Sequence, residues 1–409
     1  MKQHHVLFTS ILGIVLLFGC KNDITPSLYD PSYTSPRPQP VIDSISPAGS
    51  VLAATTPITV YGKNFSTTPA ENSIYFNGKA GKVQSATATQ IICVTPADSG
   101  SVQVKVSVAG ADKYSNELPY RLNIAVENFA FFTPPTNGAK ALTPDNFGNI
   151  YFNLLAIDQD NGISILSPTG IVTKHSTISG RSYSSFKLYK DGSIYASTNQ
   201  RALYKFSPGF PPDTSVSALF VNIGSPSGVQ IPDIDFDQSG NLWAATNGKG
   251  LICVKQNKTF KISPFTGLVK AVRVYNGSLY FTALKDQNEQ VFRAPINGDT
   301  LGTIETIFNI TTNLGTQFSG QSMTISSDGY TYVGTTYNGT DSTKAKGIIV
   351  IAPGGASYST PYEGYFALLG KSITSMAWGG DERLYVTNKA GNMLFVHTNK
   401  SSAPYYGVN

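Results

Sequence analysis

Residues 102–108 read Val-Gln-Val-Lys-Val-Ser-Val. That strict alternation predicts a strand with one apolar and one polar face. The same texture recurs upstream in short pieces: Val41–Pro47, Ile58–Phe65, Ser73–Gly78 with its Asn-Gly hairpin signal, and Ile91–Val94 running into Thr95-Pro96. Short strands at roughly ten-residue spacing, separated by turn residues, predict a β-sandwich. No stretch shows a sustained helical period with caps. Beyond residue 124 the pattern becomes periodic over a longer distance. An acidic or polar turn with a glycine, then an aromatic preceded by an aliphatic residue or threonine, return six times: DNFGNIYFN (145–153), KDGSIYAST (190–198), DQSGNLWAAT (237–246), YNGSLYFTA (275–283), SDGYTYVGT (327–335) and GDERLYVTN (380–388).

The aromatic of each copy falls at Tyr151, Tyr195, Trp243, Tyr280, Tyr332 and Tyr385. Every copy is preceded by an apolar run such as Ile234-Asp235-Phe236. Every copy is followed by another, such as Leu203-Tyr204-Lys205-Phe206. Three or four strands per repeat, six times over, predict a six-bladed β-propeller, which limits exposed sheet edges by radial repetition. The last repeat is short of a strand, and the apolar stretch Ile124–Phe132 is the candidate to complete it and close the ring. The repeats resemble the NHL family and its lactonase-like relatives over about residues 124–400. Trp243 and Trp378 fall on packing positions. In Asp145, Asp237 and Asp328 we read turn-forming carboxylates, because a calcium loop needs several oxygens converging on one ion.

The motifs of residues 40–123 resemble the IPT/TIG family: the opening Ile-x-x-Ile-x-Pro, Gly62-Lys63-Asn64-Phe65, Ile74-Tyr75-Phe76-Asn77-Gly78, Val94-Thr95-Pro96 and the closing valines. The resemblance implies an immunoglobulin-like sandwich serving as spacer or interaction module. The fold class expected is therefore all-β, a TIG sandwich (40–123) followed by a six-bladed propeller (124–409).

The N-terminus adds an address. Lys2 precedes an apolar run from Val6 to Phe18, the length of a signal-peptide core and short for a membrane span. It ends in Leu17-Phe18-Gly19-Cys20, which resembles a bacterial lipobox. Cys20 is then the lipidated residue, 1–19 a signal peptide, and 20–39 a tether stiffened by Pro26, Pro31, Pro36 and Pro38. With the TIG module and the propeller, this architecture resembles Bacteroidetes lipoproteins associated with outer-membrane glycan import. The implied place is the outer membrane, lipid-anchored, at the cell surface or on the periplasmic face, with an importer complex as the partner the architecture implies.

Composition narrows the chemistry. Thirty basic against 25 acidic residues give a formal charge of +5. No Lys/Arg block accompanies it, so nucleic acid is not an expected partner. Cys93 and Cys253 sit in apolar runs of different domains and read as buried free thiols. No Cys/His spacing suggests zinc, and no G-x-S-x-G, H-E-x-x-H or phosphate-loop motif occurs. Neither metal nor cofactor is expected. By alignment, the inner strands start at Lys140, Ser184, Asp233, Lys270, Gln321 and Ser375, a poor metal cage. Loop aromatics with polar neighbours suit a sugar ring better. The ligand surface expected is Arg181, Tyr183, Tyr337, Tyr362 and Tyr365, with Asp233, Lys270 and Gln321 at one mouth. The function expected is non-catalytic binding of poly- or oligosaccharide. The alternatives are a metal-dependent lactonase- or lyase-like enzyme and a protein-interaction scaffold.

Overall fold

The computed structural model describes residues 32–128, 137–156, 159–176, 183–198, 200–208, 218–224, 229–379 and 382–407. Two sheets form the sandwich. One orders Val41–Ser46, Pro57–Lys63, Gln90–Val94 and Lys82–Ala86. The other orders Ser50–Leu52, Leu118–Asn123, Gly100–Val108, Asn72–Phe76 and Lys79–Ala80. The alternating valines work as their spacing demands: Val102, Val104, Val106 and Val108 are buried against Ile58, Ile74 and Ile91. Each such side chain contributes about 1.5–3 kcal/mol of burial. The Asn-Gly signal is a two-residue hairpin, with Phe76 paired to Lys79 and positive φ at Asn77 (47°) and Gly78 (88°). Cys93 and Cys253 are buried free thiols, and burial pushes each up to about 12.

Six antiparallel sheets follow, one per repeat. Their inner strands are Asn137–Pro144, Tyr183–Leu188, Ile234–Phe236, Leu268–Tyr275, Phe318–Ile325 and Ile373–Trp378, here blades one to six in that order. The sixth sheet takes its outermost strand from before the first. Val126, Glu127 and Asn128 pair with Val396, Phe395 and Leu394, and His397 meets Glu127 at 2.5 Å. The closing strand is thus Val126–Asn128, while 129–132 of the expected stretch lie outside the described residues.

The repeated turns bond to themselves. Asp145 Oδ1 accepts from the backbone N–H of Phe147 and of Asn149, and Oδ2 accepts from Asn149 Nδ2. Asp237 repeats this with Ser239 and Asn241 and also accepts from the indole of Trp243 at 3.0 Å. Gly240, with φ 77°, completes the turn where a Cβ would be strained. Asp328 differs: its partners are Ser326 and Lys400.

Candidate functional site

Pairing with the aromatic of each repeat puts one inner-strand residue of every blade on a common level. These are Thr143, Lys187, Asp235, Arg273, Thr324 and Ala377, opposite Tyr151, Tyr195, Trp243, Tyr280, Tyr332 and Tyr385. All six line a single pocket of about 600 Å³ at the face where the inner strands finish. Three of the six carry charge, and they come from blades two, three and four.

Lys187, Asp235 and Arg273 are 4%, 1% and 7% exposed. Asp233, one turn of the pleat away, is 7% exposed and ties the group together. Its Oδ2 accepts from Arg273 Nη1 at 2.8 Å and from the Val272 N–H at 3.0 Å, while Oδ1 accepts from Ser185 Oγ at 2.6 Å. Arg273 also donates through Nη2 to the Met376 carbonyl at 3.0 Å, so one guanidinium clamps blades three, four and six. Two cations and two carboxylates balance, as buried charge requires.

Asp235 is less well served. Its Oδ2 accepts from the Val274 N–H at 2.7 Å, but Oδ1 accepts no hydrogen bond among the described residues. Lys187 Nζ stands 3.9 Å from it, outside hydrogen-bond range. Burial pushes the Asp235 carboxyl above the ordinary carboxylate range. Burial, then the nearby Arg273, lowers the Lys187 amine to about 8. Two more buried polar atoms at the pocket fall short of a well-formed hydrogen bond among the described residues, Trp378 Nε1 and the Tyr405 hydroxyl, the latter standing beside the Asp235 carboxylate. An unpaired buried donor or acceptor costs about 1–3 kcal/mol, so three together mark a place built to take polar atoms from elsewhere.

The segment after the last blade covers this mouth. Its first half is held on blade five: Ser327 N–H donates to the Ser401 carbonyl at 2.9 Å, and Ala403 N–H to the Ile325 carbonyl at 3.1 Å. Its second half is held on blades two and three, where Tyr406 packs on Tyr189 (5.1 Å) and Phe236 (5.8 Å). Between the anchors, Tyr405 directs its ring to 5.1 Å from Lys187 Nζ. A second hollow of about 390 Å³ lies beyond the cover, beside Tyr275 and Tyr406, and shares Val274 and Pro404 with neighbours of the first.

The residues expected from sequence fall elsewhere. Tyr183 is core, edge-on to Phe206 at 6.0 Å. Tyr337 is 5% exposed and packs on Phe318. Tyr362 and Tyr365 are 3% and 5% exposed, and Tyr365 joins the two domains. Tyr365 Oη accepts from the Ala125 N–H and donates to the Ala53 carbonyl, both at 3.1 Å. Tyr362 donates to the His397 carbonyl. A tyrosine's polar edge makes it as useful at a buried joint as at a wet one, and a loop position in sequence does not distinguish the two. Arg181 and Cys20 lie outside the described residues.

The start positions of the inner strands are real features, but not a site. Five inner strands carry a bulge there, leaving Lys140, Ser184, Lys270, Gln321 and Thr374 half-buried. Ser375 lies one residue past the bulge of its strand, which falls at Thr374, and the third inner strand, where Asp233 stands just before Ile234, shows no bulge. Lys270 pairs with Glu289, and Gln321 donates to Ser319, each inside its own blade. Of the expected residues only Asp233 belongs to the pocket's charge cluster. The residues missed are Lys187, Asp235, Arg273, Trp378 and Tyr405. A signal existed: charged residues stand seven or eight places before the aromatic in repeats two, three and four, inside otherwise apolar strands.

Residues 40–122 match the IPT/TIG domain family. No curated protein matches the chain. Among solved structures, a luciferin-regenerating enzyme is similar at a TM-score of 0.54 and 15% identity, covering 69% of this chain and 99% of its own. Two auxiliary nutrient binding proteins are similar at 13% identity. That of Bacteroides thetaiotaomicron has a TM-score of 0.45 and covers 90% of this chain and 98% of its own. That of Bacteroides ovatus has a TM-score of 0.44 and covers 88% and 98%. At such identities the enzyme's likeness speaks for fold alone. The chain joins a sandwich that matches the IPT/TIG family over residues 40–122 to a six-bladed propeller, and its likeness to that enzyme is one of fold.

Proposed function

We propose that this is a lipid-anchored binding protein of the bacterial outer membrane, non-catalytic, whose propeller receives a glycan at the axial pocket where the inner strands finish. One observation carries the reading: an open pocket of about 600 Å³ holds a buried carboxylate oxygen, an indole N–H and a phenol that lack well-formed hydrogen bonds among the described residues. Sugar hydroxyls both donate and accept, so one ring can satisfy Asp235 Oδ1 and Trp378 Nε1 together. The aromatic side chains of Trp378 and Tyr405 among the lining residues suit the C–H surface of a sugar ring. The volume is that of a small-molecule site, and the neighbouring hollow past Pro404 gives a longer chain somewhere to continue. Cys20 supplies the anchor, the proline-rich segment the distance from the bilayer, and an outer-membrane importer the destination.

The test is calorimetry over a broad glycan panel with wild type and Trp378→Phe. Phenylalanine keeps an aromatic face but removes the indole N–H together with the five-membered ring that carries it. A sugar that binds wild type should bind the variant about tenfold more weakly, the value of one hydrogen bond in a desolvated site. If no glycan binds, or if the best ligand binds both proteins equally, the assignment to this pocket fails.

A further inference from the structure

Lys187 is an unusual lysine for this chain. Its side chain is buried yet lines the pocket, with Nζ 5.1 Å from the centre of the Tyr405 ring. It donates no hydrogen bond to a side chain or carbonyl among the described residues, and its nearest carboxylate oxygen is at 3.9 Å. Other lysines are held in closer pairs: Lys255 with Asp299 at 2.8 Å, Lys346 with Glu363 at 2.7 Å, Lys270 with Glu289. A cation that only balanced Asp235 would close on it, as Arg273 closes on Asp233 at 2.8 Å.

We propose that Lys187 is a carbonyl-reactive amine, condensing reversibly within the axial pocket with an aldehyde group of a small ligand to form an imine. The Nζ lone pair adds to the carbonyl carbon as the C=O π pair moves to oxygen. One proton passes from nitrogen to that oxygen, giving a carbinolamine. Loss of the hydroxyl with a second proton then releases one water and leaves C=N. No oxidant or reductant enters. Both proton transfers need an acid–base group beside the nitrogen, and Asp235 Oδ1, without a hydrogen bond, is that group. Its raised carboxyl value helps it hold a proton for the departing hydroxyl. The surroundings also favour the nucleophile. With the amine at about 8, roughly half is neutral at that pH, against about three in a thousand for an ordinary lysine. Tyr405 lies over the amine and screens it from bulk water. The inference does not depend on the glycan reading, since a simple aldehyde is enough to test it.

The whole chain and its Tyr405→Ala variant are incubated with glycolaldehyde and cyanoborohydride, which reduces an imine to a stable secondary amine. Peptide mass mapping then gives a labelling rate for each lysine. Lys187 should label at least tenfold faster than Lys205, Lys255 and Lys346, with a rate that rises with pH around a midpoint near 8. Preferential labelling in the variant alone supports the amine and makes Tyr405 its cover. If Lys187 labels no faster than those three lysines in both proteins, the proposal is overturned. Because the readout is the position of the label within folded protein, no substitution of Lys187 is required.

Discussion

Lys187 carries a cost that depends on pH, and the sign follows from where its proton sits. Its folded value is about 8 against an ordinary 10.5. Below 8 both folded and unfolded chains hold the proton, and the burial penalty is felt in full. Between 8 and 10.5 the unfolded chain holds a proton that the folded one has released, so stability rises with pH across that window. From pH 7.5 to 9.5 the gain amounts to about 2 kcal/mol. Urea denaturation at the two pH values should show this rise in wild type and its absence in Lys187→Met. Equal rises in both proteins would remove the assignment. The partner groups behave consistently: Asp233 is saturated by three donors, and Asp235 carries the vacancy that a ligand can use.

At the scale of the element, the turn before each aromatic works as a self-bonded unit, but the copies are not equivalent. Asp237 accepts from two backbone N–H groups, from Asn241 and from the buried Trp243 indole. Asp191 accepts from the Ser193 N–H at 2.8 Å and lies near the half-buried Lys205. Asp237→Ala leaves an indole donor unpaired in the core and should cost about 3 kcal/mol, whereas Asp191→Ala should cost about 1 kcal/mol. Comparison of the two unfolding midpoints checks this, and equal costs would refute the special role of the Trp243 bond. The strands between turns were legible because apolar alternation is a local property. The bulges were not, since a single extra residue changes pairing without changing the pattern.

For the whole molecule, the joint between sandwich and propeller is packed and hydrogen-bonded. Tyr365 bridges Ala53 in one domain and Ala125 in the other. Gly364 lies so close that a Cβ there would stand 2.9 Å from the Ala54 methyl. The closing strand Val126–Asn128 begins immediately after this bridge, so the joint and the ring closure share residues. Tyr365→Phe strips two buried backbone groups of their partner and should cost about 1–3 kcal/mol. In scanning calorimetry the sandwich should melt separately in the variant and together with the propeller in wild type. An unchanged endotherm would mean that the two domains hold each other by other contacts.

The sequence by itself determined the domain order, the all-β class, the number of blades and the turns that separate their strands. Each of these follows from spacing within about ten residues or from its repetition. It also carried the strand that closes the ring, visible as one missing element at one end and one surplus element at the other. Only the tertiary structure decided which polar residues meet. Lys187, Asp235 and Arg273 come from three repeats; their recurring place before the aromatic marks them in sequence, but only the closed ring brings the three charges to one axis. The loop tyrosines gave the opposite lesson. Tyr183, Tyr337, Tyr362 and Tyr365 looked available because their neighbours are polar, yet burial depends on what the rest of the chain brings against them.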